Sequence, residues 1–280
     1  MPGFAPRNTR RLERPVIYLI LLLGTLTALF PIYYTIATSF KFPKDCLAYP
    51  PIYVPVNGTF RNYEFAFWKY GPHALTNSLL IAGGSALLVV LLGAPAAYAL
   101  ARFRIRGKEN VAFFILAQRM TPPVAAIIPF FLMFRTLHLI DTHLVLILVY
   151  TALNLPFFVW MMREFFSEIP IELEESAYVD GCSVLSTFVR IVLPVASVGL
   201  VALSLLCFIF AWNEFLFAFL LTRTVARTIP VEIAGLYTEA ALQWWDMTAL
   251  ATITLLPVII LTLALQRYII RGLALGAVKG

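Results

Sequence analysis

Residues Ile171–Pro194 read IELEESAYVDGCSVLSTFVRIVLP, the one long polar interval inside an otherwise apolar chain. It begins acidic, with Glu172, Glu174 and Glu175, turns at Asp180-Gly181, and runs directly into an apolar segment after Pro194. This pattern predicts two short amphipathic helices joined by a glycine turn. Pro170 suits a first helical turn, where a missing N–H costs nothing. The early glutamates favour the positive end of the helix dipole, and Gly181 can adopt the left-handed conformation that ends a helix. A membrane protein that keeps such an element between two spans offers a soluble partner a surface to grip.

Composition sets the solvent. The chain has 280 residues, 61% of them hydrophobic and 13% charged, with a mean hydropathy of +0.85. A soluble domain cannot hide that much apolar surface, so most of the chain faces lipid. The net charge of +6 does not point to nucleic acid, because the basic residues sit mostly beside apolar runs, where they set topology. Cys46, Cys182 and Cys207 are scattered without metal-ligand spacing, and no disulfide framework is expected.

Six apolar runs are long enough to span a bilayer. A basic tail (1–15) precedes the first, Val16–Thr38, which is read as an uncleaved span. A mixed loop (39–76) follows, with Pro50, Pro51 and Pro55 opposing regular helix. The second span is Asn77–Ala101, rich in small residues such as Gly83, Gly84 and Gly93 for close helix contact. The third, Val111–Phe134, is interrupted at Thr121-Pro122-Pro123. A turn (135–142) leads to the fourth, His143–Met162. After the acidic loop (164–194) come a fifth span, Val195–Thr222, a loop (223–247) and a sixth span ending near Ile270. The expected fold is therefore an all-α integral membrane bundle of six transmembrane helices (16–270) with a short tail, 271–280. Basic residues concentrate in the termini, at Arg102, Arg104, Arg106 and Lys108, and around the acidic loop, which places both ends and that loop in the cytoplasm.

Charges inside the spans are costly and need a reason. Arg119, beside Gln118, lies about 14 Å into the third span at 1.5 Å per residue, just ahead of Pro122 and Pro123, which loosen the helix. Glu214 lies in the fifth span beside Asn213, with Asn154 in the fourth. These residues line a translocation path or gate, or they hold neighbouring helices together by hydrogen bonds. Pairing of Glu214 with Arg119 is not supported by their spacing. No G-x-S-x-G, H-E-x-x-H or P-loop pattern occurs. The chain is not expected to be an enzyme, and energy for transport must come from another subunit or an ion gradient.

The polar loop is also specific. Glu175-Ser176-Ala177, three residues, Gly181, nine residues, then Ile191-x-Leu193-Pro194 resembles the E-A-A-x3-G-x9-I-x-L-P loop of ABC importer permeases, with Ser176 for the second alanine. Together with six spans, WNEF in the fifth and the ending GAVKG, the chain resembles carbohydrate-importer permeases of the maltose-transporter type, the smaller, MalG-like partner. The resemblance implies that residues 171–180, including Glu174 and Asp180, form a coupling helix, with Glu175 touching an ATPase subunit. It implies a tail (Gly276, Lys279, Gly280) reaching between two ATPases, and an outer loop (Arg223, Arg227, Glu239, Trp244, Trp245) facing a solute-binding lipoprotein or periplasmic protein. It implies a second permease subunit, an ATPase dimer and the lipid bilayer as partners, with ATP and Mg held on the ATPases and no cofactor or metal on this chain. The setting is a bacterial or archaeal cytoplasmic membrane. The alternative is an ion-coupled secondary transporter, which more often shows inverted repeats and paired broken helices.

Overall fold

The computed structural model describes residues 9–237 and 243–277 and is entirely helical in its long elements. In chain order these are α1 (Thr9–Ser39), α2 (Pro43–Cys46), α3 (Arg61–Arg102), α4 (Lys108–Ala117), α5 (Pro123–Thr136), α6 (His143–Ser167), α7 (Glu172–Val179), α8 (Val184–Thr187), α9 (Leu193–Val195), α10 (Ser197–Trp212), α11 (Leu216–Leu221), α12 (Ile229–Gly235) and α13 (Trp244–Ala277). A 3-10 turn covers Gln118–Met120, and a wide π turn covers Phe188–Val192. Four helices are long and apolar enough to cross a membrane. Two further pairs are bent, α4–α5 by 90° and the Val184–Val195 segment against α10 by 79°, and counting each as one span gives six.

Several boundaries differ from the sequence-based expectation. Residues 61–76 belong to α3, not to a loop. The segment is amphipathic rather than uniformly apolar, with Asn62 buried and Ala66 and Ala74 fully covered. Glu64 in its first turn complements the helix dipole. The fifth span ends at Trp212, because the chain leaves the helix at Asn213 and restarts as α11. The described part of the 223–247 loop contains α12, and Trp244 and Trp245 open α13.

The chain packs as two compact units. One gathers the chain up to Lys69 with Leu236–Ile253; the other holds Tyr70–Gly235 and the chain from Thr254 onward. In the first unit, the Asn62 amide donates to the carbonyls of Ser39 and Lys41, each at 2.8 Å. The Ser39 hydroxyl meets that of Tyr63 at 2.6 Å. Lys41 is almost fully covered. Its ammonium donates to the Thr38 hydroxyl and sits 4.4 Å from the centre of the Tyr34 ring.

In the second unit, α6 packs against α4, α10 and α11. One apolar cluster forms around Phe158, Met162 and Phe166 of α6 with Val89, Tyr98 and Cys207. Another forms around Leu146, Val149 and Tyr150 with Ile81, Trp212 and Phe217. Small residues set the helix spacing. A Cβ on Gly93 would lie 2.6 Å from Phe158 Cδ1, and one on Gly199 2.6 Å from Phe165.

Candidate functional site: a coupling loop and a polar cavity

The acidic loop folds as its residues dictate. Glu172, Glu174 and Glu175 occupy the first turn of α7, where the free N–H groups and the dipole favour negative charge. The helix ends at Gly181, whose φ is +83°. The Gly181 N–H donates to the Tyr178 carbonyl at 3.0 Å and the Cys182 N–H to the Ala177 carbonyl at 2.9 Å, the paired bonds of a left-handed glycine stop. Ser183 then caps α8, its hydroxyl accepting from the Ser186 N–H at 3.3 Å. Ile191 lies in the wide turn, while Leu193 and Pro194 open α9.

The two faces of α7 differ. Only Glu174 and Ala177 are buried. Glu175, Ser176 and Asp180 are exposed, as are the apolar Leu173, Tyr178 and Val179, the last at 87%. Exposed apolar side chains beside exposed carboxylates are what a partner protein covers. Glu174, grouped with Glu175 by sequence as a contact residue, points the other way. Its carboxylate accepts from the Tyr98 hydroxyl at 2.5 Å and from the Arg102 Nε at 2.6 Å, and Arg102 Nη2 donates to the Ile169 carbonyl at 2.6 Å. Sequence reading treated Arg102 only as a topology signal and passed over Tyr98. The available signal was a basic residue ending a long helix opposite an acidic loop.

A second polar constellation lies at the break between α4 and α5. Pro123 starts α5 at the position proline favours. Arg119 sits in the tight turn before it, so the straight-helix depth measured along the sequence does not apply. Arg119 Nη1 donates to the Leu153 carbonyl at 2.7 Å and to Asn154 Oδ1 at 3.3 Å. Its guanidinium lies 5.2 Å from the Phe210 ring centre and 5.9 Å from that of Phe157, contacts worth about 0.5–1 kcal/mol each at an exposed site. Among the described residues Arg119 forms no ion pair.

Gln118, Arg119, Pro123, Asn154 and Glu214 line one cavity of about 250 Å³, together with Tyr150, Ala152 and Phe210. Glu214 and Arg119 therefore share a cavity without pairing. The Glu214 carboxylate accepts from the N–H groups of Phe217 and Ala218 in the first turn of α11, at 3.1–3.3 Å. Pro122 and Asn213 are not among the lining residues. The Asn213 amide donates to the Ile209 carbonyl at 2.8 Å.

On the remaining side, Arg223 and Arg227 line a groove of about 510 Å³ with Ile128 and Phe131. Arg227 also pairs with Glu232 at 3.2 Å. In the other unit, Trp245 lines a cavity of about 270 Å³ with Phe42, Arg61, Phe65 and Asp246, and Trp244 is exposed. Gly276 lies in the last turn of α13. Glu239, Lys279 and Gly280 fall outside the described residues.

Sequence reading missed the device that fixes the start of this loop. Asp141, with φ +62°, accepts hydrogen bonds from the backbone N–H groups of Arg223, Thr224, Val225 and Ala226 at 2.8–3.2 Å. The Asn77 Nδ2 donates to the Val225 and Arg227 carbonyls, and its Oδ1 accepts from His143 Nε2 at 2.7 Å. Burial raises the Asp141 pKa, but the four backbone donors outweigh it and hold the carboxyl well below the usual carboxylate range. A depressed folded-state pKa gives stabilisation that is complete above about pH 4 and lost as pH falls through the folded value. Asp141→Asn is therefore expected to lower the melting temperature at pH 7, by an amount corresponding to about 1–3 kcal/mol, the lower end because the site is partly open to water. The gap to wild type should narrow in acid. An equal gap at pH 7 and pH 3 would contradict this account.

Broken helices around a polar cavity, with an amphipathic helix projecting from a loop between spans, define a membrane-spanning permease component. Residues 89–275 match the family described as "Binding-protein-dependent transport system inner membrane component", and the chain belongs to that family. It is 36% identical to the probable ABC transporter permease protein y4oR of Sinorhizobium fredii, over 98% of this chain and 97% of the relative. It is 33% identical to the trehalose/maltose transport system permease protein MalG of Thermococcus litoralis, over 96% and 98%. A crystal structure of a bacterial ABC transporter involved in the import of the acidic polysaccharide alginate contains a chain of 26% identity, with a TM-score of 0.76 and coverage of 95% and 99%. The protein is thus a non-catalytic, multi-pass inner-membrane permease subunit that works with binding-protein and ATPase subunits. The ion-coupled alternative is set aside on the same ground.

Proposed function

We propose that this chain forms half of the translocation pathway of an importer for a sugar, polyol or related carbohydrate, beside a second permease subunit. The exposed surface of α7 carries this reading: it presents Glu172, Glu175 and Asp180 with the apolar Leu173, Tyr178 and Val179, while Glu174 is bonded to α3. That face seats on an ATPase subunit, which holds the ATP and Mg; this chain itself holds no cofactor and no metal. Both termini and α7 face the cytoplasm of a bacterial or archaeal cell, following the distribution of Arg and Lys. The tail from Gly276 to Gly280 extends toward the ATPases. The segment from Arg223 to Met247 faces an extracytoplasmic solute-binding lipoprotein or periplasmic protein. No nucleic acid is involved.

Carbohydrate chemistry fits the cavity. The planar polar groups of Gln118, Arg119 and Asn154 suit hydroxyl hydrogen bonds, and the Phe210 ring suits the apolar face of a pyranose. Relatives whose names carry trehalose, maltose and alginate support the same class. Arg119→Ala is expected to reduce solute uptake by at least about tenfold, the scale of one lost charge-assisted hydrogen bond, while the ATPase still co-purifies. Uptake kinetics identical to wild type would return Arg119 to a packing role.

A further inference from the structure

We infer that Glu174, Tyr98 and Arg102 form an internal latch that transmits movement of α7 to the membrane bundle; this rests on α7 seating on an ATPase subunit. The geometry is specific. The helix has eight residues and buries two side chains, Glu174 and Ala177. Ala177 contributes only a methyl group, so the buried polar attachment of α7 to α3 is the Glu174 carboxylate. That carboxylate is 3% exposed, and each of its oxygens has a donor from α3 within 2.6 Å. Arg102 closes the arrangement by bonding the Ile169 carbonyl in the strand of chain between α6 and α7.

Tyr98 makes the latch a junction. Its ring lies 5.8 Å from that of Phe166, at the end of α6, and 4.8 Å from that of Phe188, at the start of the wide turn leading to α9. Its hydroxyl holds α7. One residue of α3 thus touches the segments that enter and leave the loop, as well as the helix between them. A force on the exposed face of α7 reaches three helical segments through this point. Glu174 and Glu175 are adjacent in sequence and divide the labour: one faces the partner, the other the bundle. Glu174, Tyr98 and Arg102 are positioning residues, since none is exposed to the partner.

The test measures solute transported per ATP hydrolysed by the complete transporter in proteoliposomes. Tyr98→Phe removes one oxygen and keeps the ring packing; Glu174→Gln removes the charge. Both complexes are expected to retain the ATPase. Transport per ATP should fall at least about fivefold for Glu174→Gln, the lower end of ordinary coupling between sites, and less for Tyr98→Phe. Glu174→Arg alone should be more severe, and combining it with Arg102→Glu should recover part of the ratio. A wild-type ratio in Tyr98→Phe and Glu174→Gln complexes that hold the ATPase overturns the latch. If Glu174→Gln does not fold, Tyr98→Phe and the charge exchange decide: no deficit in the first and no recovery in the second overturn it. Absence of the ATPase from the wild-type complex would instead overturn the seating of α7.

Discussion

Replacing Glu175 by lysine is expected to strip the ATPase from the permease while leaving the chain in the membrane. Glu175 is exposed on α7, so the substitution breaks no internal bond and meets no packed neighbour. The fold-holding carboxylate is the adjacent Glu174, with Tyr98 and Arg102 as its partners. Reversing a charge at a docking contact removes an attraction and adds a repulsion. Losses at such contacts correspond to at least about tenfold in affinity. The measurement is recovery of the ATPase on a tagged permease, compared with the amount of permease in the membrane fraction. Full recovery with normal uptake would remove Glu175 from the docking surface.

Gly93→Ala is expected to destabilise the bundle. The added Cβ would stand 2.6 Å from Phe158 Cδ1, 3.1 Å from Cε1 and 3.3 Å from Leu155 Cδ1. Phe158 has no exposed surface and belongs to the tightly packed cluster with Val89, Met162 and Cys207, so it has little freedom to move. Overpacking of this kind costs about 1–3 kcal/mol. Gly83→Ala is the internal control, because its Cβ would meet nothing within 4 Å. There the gain in helix propensity, about 1 kcal/mol, should make the change neutral or stabilising. Thermal inactivation of the two variants in detergent gives the comparison, and equal behaviour would refute the packing account.

The spans and the polar loop were legible because they rest on strong, local signals. Apolar runs of bilayer length, a glycine at the turn and acids in a first turn act within a few residues of one another. The left-handed Gly181 and the break at Pro122-Pro123 both follow from such chemistry. What escaped was settled by partners distant in sequence. Glu174 and Glu175 differ only by the side of α7 they occupy, and the side depends on Tyr98 and Arg102, more than seventy positions away. Asp141 is an unremarked loop acid until residues 223–226 turn their N–H groups toward it. The spacing of Arg119 and Glu214 along straight helices does not bring them together. The bend at Gln118–Met120 and the early end of α10 bring both to one cavity.

The unneutralised guanidinium of Arg119 carries a further consequence for a membrane that stores energy as an ion gradient. Its hydrogen bonds go to a carbonyl and an amide oxygen, and the nearby acid is engaged by backbone N–H groups. Among the described residues the positive charge is therefore met by dipoles and aromatic faces, with no ion pair. On the translocation route proposed above, a fixed arginine would raise the energy of hydronium and sodium while leaving an uncharged molecule almost unaffected. A pump built this way would open a route for a bulky cargo without short-circuiting the cell's proton battery.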